Sequence, residues 1–283
     1  MAVTEGKKAS GDAAADPKQA GKDGKKKKEE DKEADLSEED LELKKNLEML
    51  VERVGDRDAG VQAAALTSIG DQICTATTSM TSVPKPLKFL RPHYVTLQAI
   101  YASLPDANKN KRQLADVLSV IAMTSGKPGA RESLHYKLAG AGLDIGSWGH
   151  EYVRSLAGEI GQEFAERHAA EATTDDLFKL VADIVPYHMT HNAEPEAVDI
   201  LLEVDRLDML PAHCDDSNSA RTCLYLTSCA AYLPEGDNLA VLRTAYDVYK
   251  KVRGVGRGVG RGVGRVLLFL VVLRDFKEED VWG

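Results

Sequence analysis

No stretch of this chain is long and apolar enough to span a membrane. Its longest unbroken apolar run is Val266–Leu273, against the roughly 20 residues a membrane helix needs. The start of the chain has no apolar h-region, so no secretory signal is expected. Cysteine is scarce: Cys74, Cys214, Cys223 and Cys229 form no C-x-x-C pair, which predicts free thiols in a reducing compartment, cytoplasm and nucleus. Net positive charge is also missing. The 283 residues carry a formal charge of -9, whereas phosphate binding wants clustered cations, so a nucleic-acid binder is not expected from the chain as a whole.

Motifs that assemble catalytic chemistry are lacking too. His188 and His191 form H-x-x-H, with His213 and Cys214 further on. A zinc hydrolase wants H-E-x-x-H, whose i, i+4 step puts both imidazoles on one helix face. Here the step is three, no glutamate intervenes, and Pro186 is expected to end the preceding helix, so these histidines are read as polar contacts of a loop between helices. Ser147-Trp148-Gly149-His150-Glu151 juxtaposes nucleophile, base and acid, but sequence neighbours do not face one another on a helix, and no G-x-S-x-G elbow is present. His150 is expected to make a polar contact at a helix start. Glycines of the C-terminal segment fall only at even positions from Gly254 to Gly264, and G-x-G-x-x-G needs an odd offset. No catalytic, cofactor-binding or metal-binding residue is assigned, no cofactor is expected, and the chain is read as no enzyme.

No segment alternates at period two between turn dipeptides, which excludes a sheet. What is present is helical grammar. Residues 1–36 mix Gly, Ala, Lys, Asp and Glu with almost no large apolar side chain, holding nine lysines against twelve acidic residues through Asp40. Such a segment buries too little to offset its ordering entropy and is expected to be a disordered charged tail, cleaved quickly by proteases. Its Lys25–Lys28 run fits a nuclear-import signal or, as the bland alternative, a solvated stretch.

Order is expected from Ser37, a capping residue with Asp40 three positions on, flanked by Leu36 and Leu41 as a staple. Leu43, Leu47, Leu50 and Val54 follow at helical spacing, with Gly55 as the stop. Asp58 caps a stripe of Val61, Ala65, Ile69 and Ile73. Pro92 opens a helix with Leu97, Ile100 and Tyr101, and Leu114, Val117, Leu118 and Ile121 make the next face. Trp148, Tyr152, Leu156, Ile160 and Phe164 recur every fourth residue, with Val153 beside them. Thr174 opens a helix with Leu177, Leu180, Val181 and Ile184 that should stop at Pro186. Pro195 opens one that should run to Leu210, with Pro211 at the exit. Ser217 is expected to cap Ala220–Leu233, and Asp237 a helix presenting Leu239, Leu242, Tyr246 and Tyr249. Nine or ten helices joined by short loops predict an all-α, irregular α-solenoid of HEAT-like hairpins over 37–252, with a compact bundle as the alternative.

Several segments carry a resemblance. They are Lys85-Pro86-Leu87-Lys88-Phe89-Leu90-Arg91-Pro92-His93-Tyr94, then Ser147-Trp148-Gly149-His150-Glu151-Tyr152-Val153-Arg154 with Leu156-Ala157-Gly158-Glu159. Ile184-Val185-Pro186-Tyr187, His191-Asn192-Ala193-Glu194 and Cys223-Leu224-Tyr225-Leu226-Thr227-Ser228-Cys229 complete the set. In this order the chain, from about Leu36 to Lys251, resembles the N-terminal region of the family of large non-ATPase scaffold subunits of the proteasome regulatory-particle base. The resemblance implies a helical-repeat scaffold beside the ATPase ring, with proteasome ATPase-ring subunits as partners and a role in ubiquitin-dependent degradation. Family members also carry a toroid of proteasome/cyclosome repeats that receives ubiquitin and shuttle receptors. That half is expected to be missing here, so no ubiquitin-receptor residue is carried over.

The resemblance is expected to stop after Asp247-Val248-Tyr249-Lys250-Lys251. Residues 253–283 read R-G-V-G three times, then Arg265, the apolar octet Val266–Leu273 and acidic Glu278, Glu279 and Asp280. Half-glycine sequence is not expected to continue a helix. Val252-Arg253 is what GTG-AGG encodes, the form of a 5′ splice donor, so this segment is expected to be translated intron. A functional Arg/Gly tail, which with Lys25–Lys28 would make a nucleic-acid-associated protein, is the alternative. It lacks the interleaved aromatics that stack on bases.

Overall fold

A computed structural model of the chain describes residues 36–77, 83–234 and 236–255. The expectations for the charged tail through residue 35, and for the segment from 256 onward, lie outside these residues. The described residues contain α-helices and short 3-10 turns and no strand.

Eleven α-helices succeed one another among the described residues: α1 (Glu38–Val54), α2 (Ala59–Ala76), α3 (Lys85–Leu90), α4 (Tyr94–Ser103), α5 (Lys109–Ser125), α6 (Glu132–Ala139), α7 (His150–Ala169), α8 (Asp175–Thr190), α9 (Glu194–Glu203), α10 (Ser219–Ala230) and α11 (Asp237–Val255). Packing runs mainly between elements near in sequence: α1 on α2, α2 on α5, α5 on α6, α7 on α8 and α9, α9 on α10, α10 on α11. That is a solenoid-like arrangement, in which each unit buries its apolar face on its neighbours.

The caps at the start behave as their chemistry dictates. Ser37 Oγ accepts from the Asp40 N–H at 3.3 Å, and Asp58 accepts from Gly60 and Val61 N–H at 2.6 and 3.4 Å, satisfying otherwise orphaned donors. Gly55 closes α1 without a left-handed backbone, at φ -83°.

Several boundaries and one helix face differ from the sequence expectation. The first is Pro186, which lies inside α8 rather than at its end. A proline deprives the carbonyl four residues back of its partner, but that residue, Ala182, is exposed to water, while Ile184, Val185, His188 and Met189 beyond and around the proline are buried. Burial of the last turn outweighs the lost bond. The second is the helix opened by Pro195, which ends at Glu203; Leu207–His213, with Pro211 within it, is a 3-10 turn. Helices α7, α8 and α9 all close through a left-handed residue that is not glycine: Glu171, Asn192 and Asp205, at φ 53°, 57° and 54°. After each, the next N–H reaches back in the same way, Ala172 to Arg167 O, Ala193 to His188 O and Arg206 to Leu201 O, at 2.9, 2.9 and 2.8 Å. These are Schellman closures, which usually use glycine at the left-handed position.

Third, Ser217 does not cap α10. Its hydroxyl donates to Asp215 at 2.6 Å, and the helix runs from Ser219 to Ala230. Fourth, α11 buries Val241, Leu242, Ala245, Val248 and Val252, a face that keeps the expected Leu242 and leaves the expected Leu239, Tyr246 and Tyr249 half-buried beside it. Its backbone also continues through Gly254 to Val255.

Candidate interaction surface

Helix α7 is the hub of the stack, packing on α5, α6, α8 and α9. Tyr152, Val153, Leu156, Ile160 and Phe164 are all buried along it. Trp148 is buried too, but it belongs to the preceding 3-10 turn, Ile145–Trp148. Gly149, at φ 89°, separates that turn from α7, and a Cβ there would approach Thr77 Cβ to 3.0 Å. Only glycine meets both demands cheaply.

Arginines hold the neighbours of α7 in place. Arg131, itself left-handed at φ 48°, binds Glu163 at 2.8 Å and grips both oxygens of Glu166 at 2.6 Å. Arg167 bridges Glu163 and Asp176, both at 2.7 Å. Glu159 of α7 accepts the Leu134 N–H at 2.8 Å, which caps α6 where Arg131 offers no side-chain cap; burial raises the proton affinity of Glu159. Arg221 of α10 reaches the α8–α9 corner, donating to Asn192 at 2.9 Å and to the buried carboxylate of Glu194 at 3.0 Å.

The opposite edge of α7 stays open. Glu151, Arg154, Gly158 and Gln162 are exposed at steps of three and four, one stripe of the helix. A cleft of about 700 Å³ runs along one side of that stripe, towards Lys127, Arg131 and Glu132. A second, of about 270 Å³, lies on the other side against α9, where Glu196, Asp199 and Glu203 line it. Arg154 and Gly158 border both clefts. Among the described residues, apart from the adjacent backbone of α7 itself, no atom lies within 4 Å of a Cβ built on Gly158. Glycine in a helix interior costs about 0.5–1 kcal/mol relative to alanine, and packing within the chain gives no reason for it here.

His188 sits at the floor of the second cleft, fully buried on α8, with both ring nitrogens lacking a hydrogen-bond partner. Its ring meets those of His150 at 5.6 Å and Tyr187 at 6.0 Å. His188 is thus a core residue of a helix rather than a loop contact, whereas His191 caps α8 and its Nδ1 lies 2.7 Å from Tyr187 O. His150 begins α7 and stacks on Tyr187. Ser147 donates its hydroxyl to Asp144 at 3.0 Å, so Ser147 and His150 are not brought together as nucleophile and base. His213 lies in the 3-10 turn, and burial pushes the Cys214 thiol up to about 11. All four cysteines are free thiols. Among the described residues no group of three or more His, Cys, Asp or Glu is placed to hold a metal ion, and no helix is long and apolar enough to cross a membrane.

Burial, followed by the neighbouring His150, depresses the His188 pKa to about 4 from 6.5. Between those values the unfolded chain binds a proton that the folded chain refuses. The contribution of His188 to stability is therefore fully present above about pH 6.5 and is lost as pH drops towards 4, by at most about 1.4 kcal/mol per pH unit. Urea midpoints at neutral and mildly acid pH should show this slope, and His188→Gln should flatten it. An unchanged slope in the variant would contradict the assignment.

The sequence around these clefts matches known proteins. The family model for the RPN1 N-terminal domain covers residues 47–259, passing beyond Lys251. The 26S proteasome non-ATPase regulatory subunit 2 homolog A of Arabidopsis thaliana is 56% identical over 214 residues, 76% of this chain and 24% of that protein. The 26S proteasome regulatory subunit rpn1 of Schizosaccharomyces pombe is 50% identical over 217 residues, 77% of this chain and 24% of that protein. The 26S proteasome non-ATPase regulatory subunit 2 of Dictyostelium discoideum is 49% identical over 218 residues, again 77% and 24%. The chain thus spans about a quarter of the length of these relatives. With most of its residues matched, and with the all-helical stack just described, the chain belongs to the RPN1 N-terminal domain family of proteasome regulatory subunits.

Proposed function

We propose that this chain is a non-catalytic scaffold module of the proteasome regulatory-particle base, working in cytoplasm and nucleus, with the ATPase-ring subunits as partners. The observation that carries the reading is the open edge of α7. One helix face is sealed in the core while the stripe through Glu151, Arg154, Gly158 and Gln162 stands between two clefts. A ridge flanked by grooves is the surface on which another helix packs. The relatives' names, non-ATPase regulatory subunits, support a role without nucleotide chemistry. Ubiquitin and shuttle-receptor recognition is not proposed for these residues. The nucleic-acid alternative rests on Lys25–Lys28 and the Arg/Gly segment, most of which lies outside the described residues, and the relatives lend it no support.

Affinity capture of the tagged chain from cell extract tests the reading. ATPase subunits should be recovered and should stay bound as salt is raised, as expected of a packed helical interface; RNA capture would collapse with salt instead. Recovery of no ATPase subunit, from extract in which another tagged subunit captures the base, would overturn it.

A further inference from the structure

The smaller cleft beside α7 has a chemistry of its own. Its α9 wall presents Glu196, Asp199 and Glu203, at steps of three and four along one helix face. Among the described residues, the only counter-charge lining the cleft is Arg154. Among the described residues none of the three carboxylates forms an ion pair with a lysine or arginine, although Asp199 accepts the Tyr225 hydroxyl at 2.7 Å. Burial and the charge of Asp199 raise the proton affinity of Glu203, the mark of a carboxylate short of a cation. Beneath them lies His188, wholly buried and with neither ring nitrogen hydrogen-bonded. At the lip, Gly158 keeps the α7 backbone bare, with no described atom outside that backbone near its missing Cβ.

We propose that this cleft receives an arginine of a partner protein's helix. The helix lies along α7 at Gly158 and inserts the guanidinium between Glu196, Asp199 and Glu203. Arginine fits better than lysine, because its planar fork of N–H donors can bind two carboxylates at once. Driven to the floor, the same fork offers a donor to the neutral ring of His188. Close approach of the partner backbone requires a bare position, and Gly158 supplies it. The inference rests on the scaffold reading only for the partner's identity, because a synthetic probe tests it.

The probe is a fluorescent alanine-based helical peptide with arginine at every fourth position, added to the full chain and followed by polarisation. Its control is the same peptide with glutamine in place of arginine. Glu203→Gln and Gly158→Leu should each weaken arginine-peptide binding roughly tenfold, as loss of one charge-assisted contact or of close approach would. Glu52→Gln, an exposed carboxylate on α1, should leave it unchanged. Circular dichroism checks that each variant keeps its helices. In nitrogen-detected spectra, the His188 ring should shift on addition of the arginine peptide and not of the glutamine peptide. Equal binding by Glu203→Gln, Gly158→Leu and the parent chain, or a His188 ring that does not move, would overturn the proposal. Either result would leave capture of the ATPase subunits untouched, so the two readings fail separately.

Discussion

Replacing Lys137 with Met is expected to lower the unfolding free energy by about 3–5 kcal/mol, the cost of stranding one charge of a buried pair. Lys137 and Asp116 have almost no exposed side chain, 4% and 0%, and lie 3.8 Å apart. Lys137 Nζ donates to Leu143 O at 2.5 Å, and Asp116 Oδ2 accepts from Ala141 N–H at 2.9 Å. Burial pushes each towards its neutral form, lowering the lysine and raising the aspartate. Together they tie α5 and α6 to the loop that leads into the Ile145–Trp148 turn. Gly140 leaves room for the aspartate, since a Cβ there would collide with it. For a domain of this size the loss should appear as a drop in Tm of roughly 10 °C. Asp116→Asn combined with Lys137→Met removes both charges and should recover part of the loss. A Lys137→Met variant within about 0.5 kcal/mol of the parent would show that the pair is structurally idle.

Leu156→Ala should cost about 2–5 kcal/mol, by lost transfer energy and the cavity left behind. Leu156 is wholly buried at the middle of α7, the helix that touches α5, α6, α8 and α9. A cavity there opens between several helices at once and has little means of collapse. Chemical denaturation of the variant measures the loss, and a change indistinguishable from zero would place Leu156 off the packed face.

The residues around Leu156 show what was legible in sequence. Apolar residues every fourth position from Tyr152 to Phe164 announce a buried face because helical periodicity places them together, and all are buried. Ser37 and Asp58 were legible as caps because each chemistry is local. The ends of α7, α8 and α9 were not, because Glu171, Asn192 and Asp205 take the left-handed position without a glycine to mark it. Pro186 misled for a related reason: a proline's local cost is readable, whereas the burial of Val185, His188 and Met189 that outweighs it depends on neighbours distant in sequence. The face of α11 was legible only in part: Leu242 is buried as expected, whereas Leu239, Tyr246 and Tyr249 are half-buried beside the stripe.

The open edge of α7 was least legible of all. Glu151, Arg154, Gly158 and Gln162 look like any solvated helix face, and Gly158 reads as a mere weak point. Nothing local shows that Glu196, Asp199 and Glu203 stand opposite, or that His188 lies buried beneath them. A glycine inside an otherwise strong helix was the one available hint, because it carries a cost that something must offset.

Sedimentation of the purified chain with the purified ATPase ring tests the scaffold reading most directly. A faster boundary containing both components, saturating as the chain is titrated, is expected of a scaffold. Two boundaries sedimenting independently at every ratio, with the chain folded as judged by circular dichroism, would contradict it.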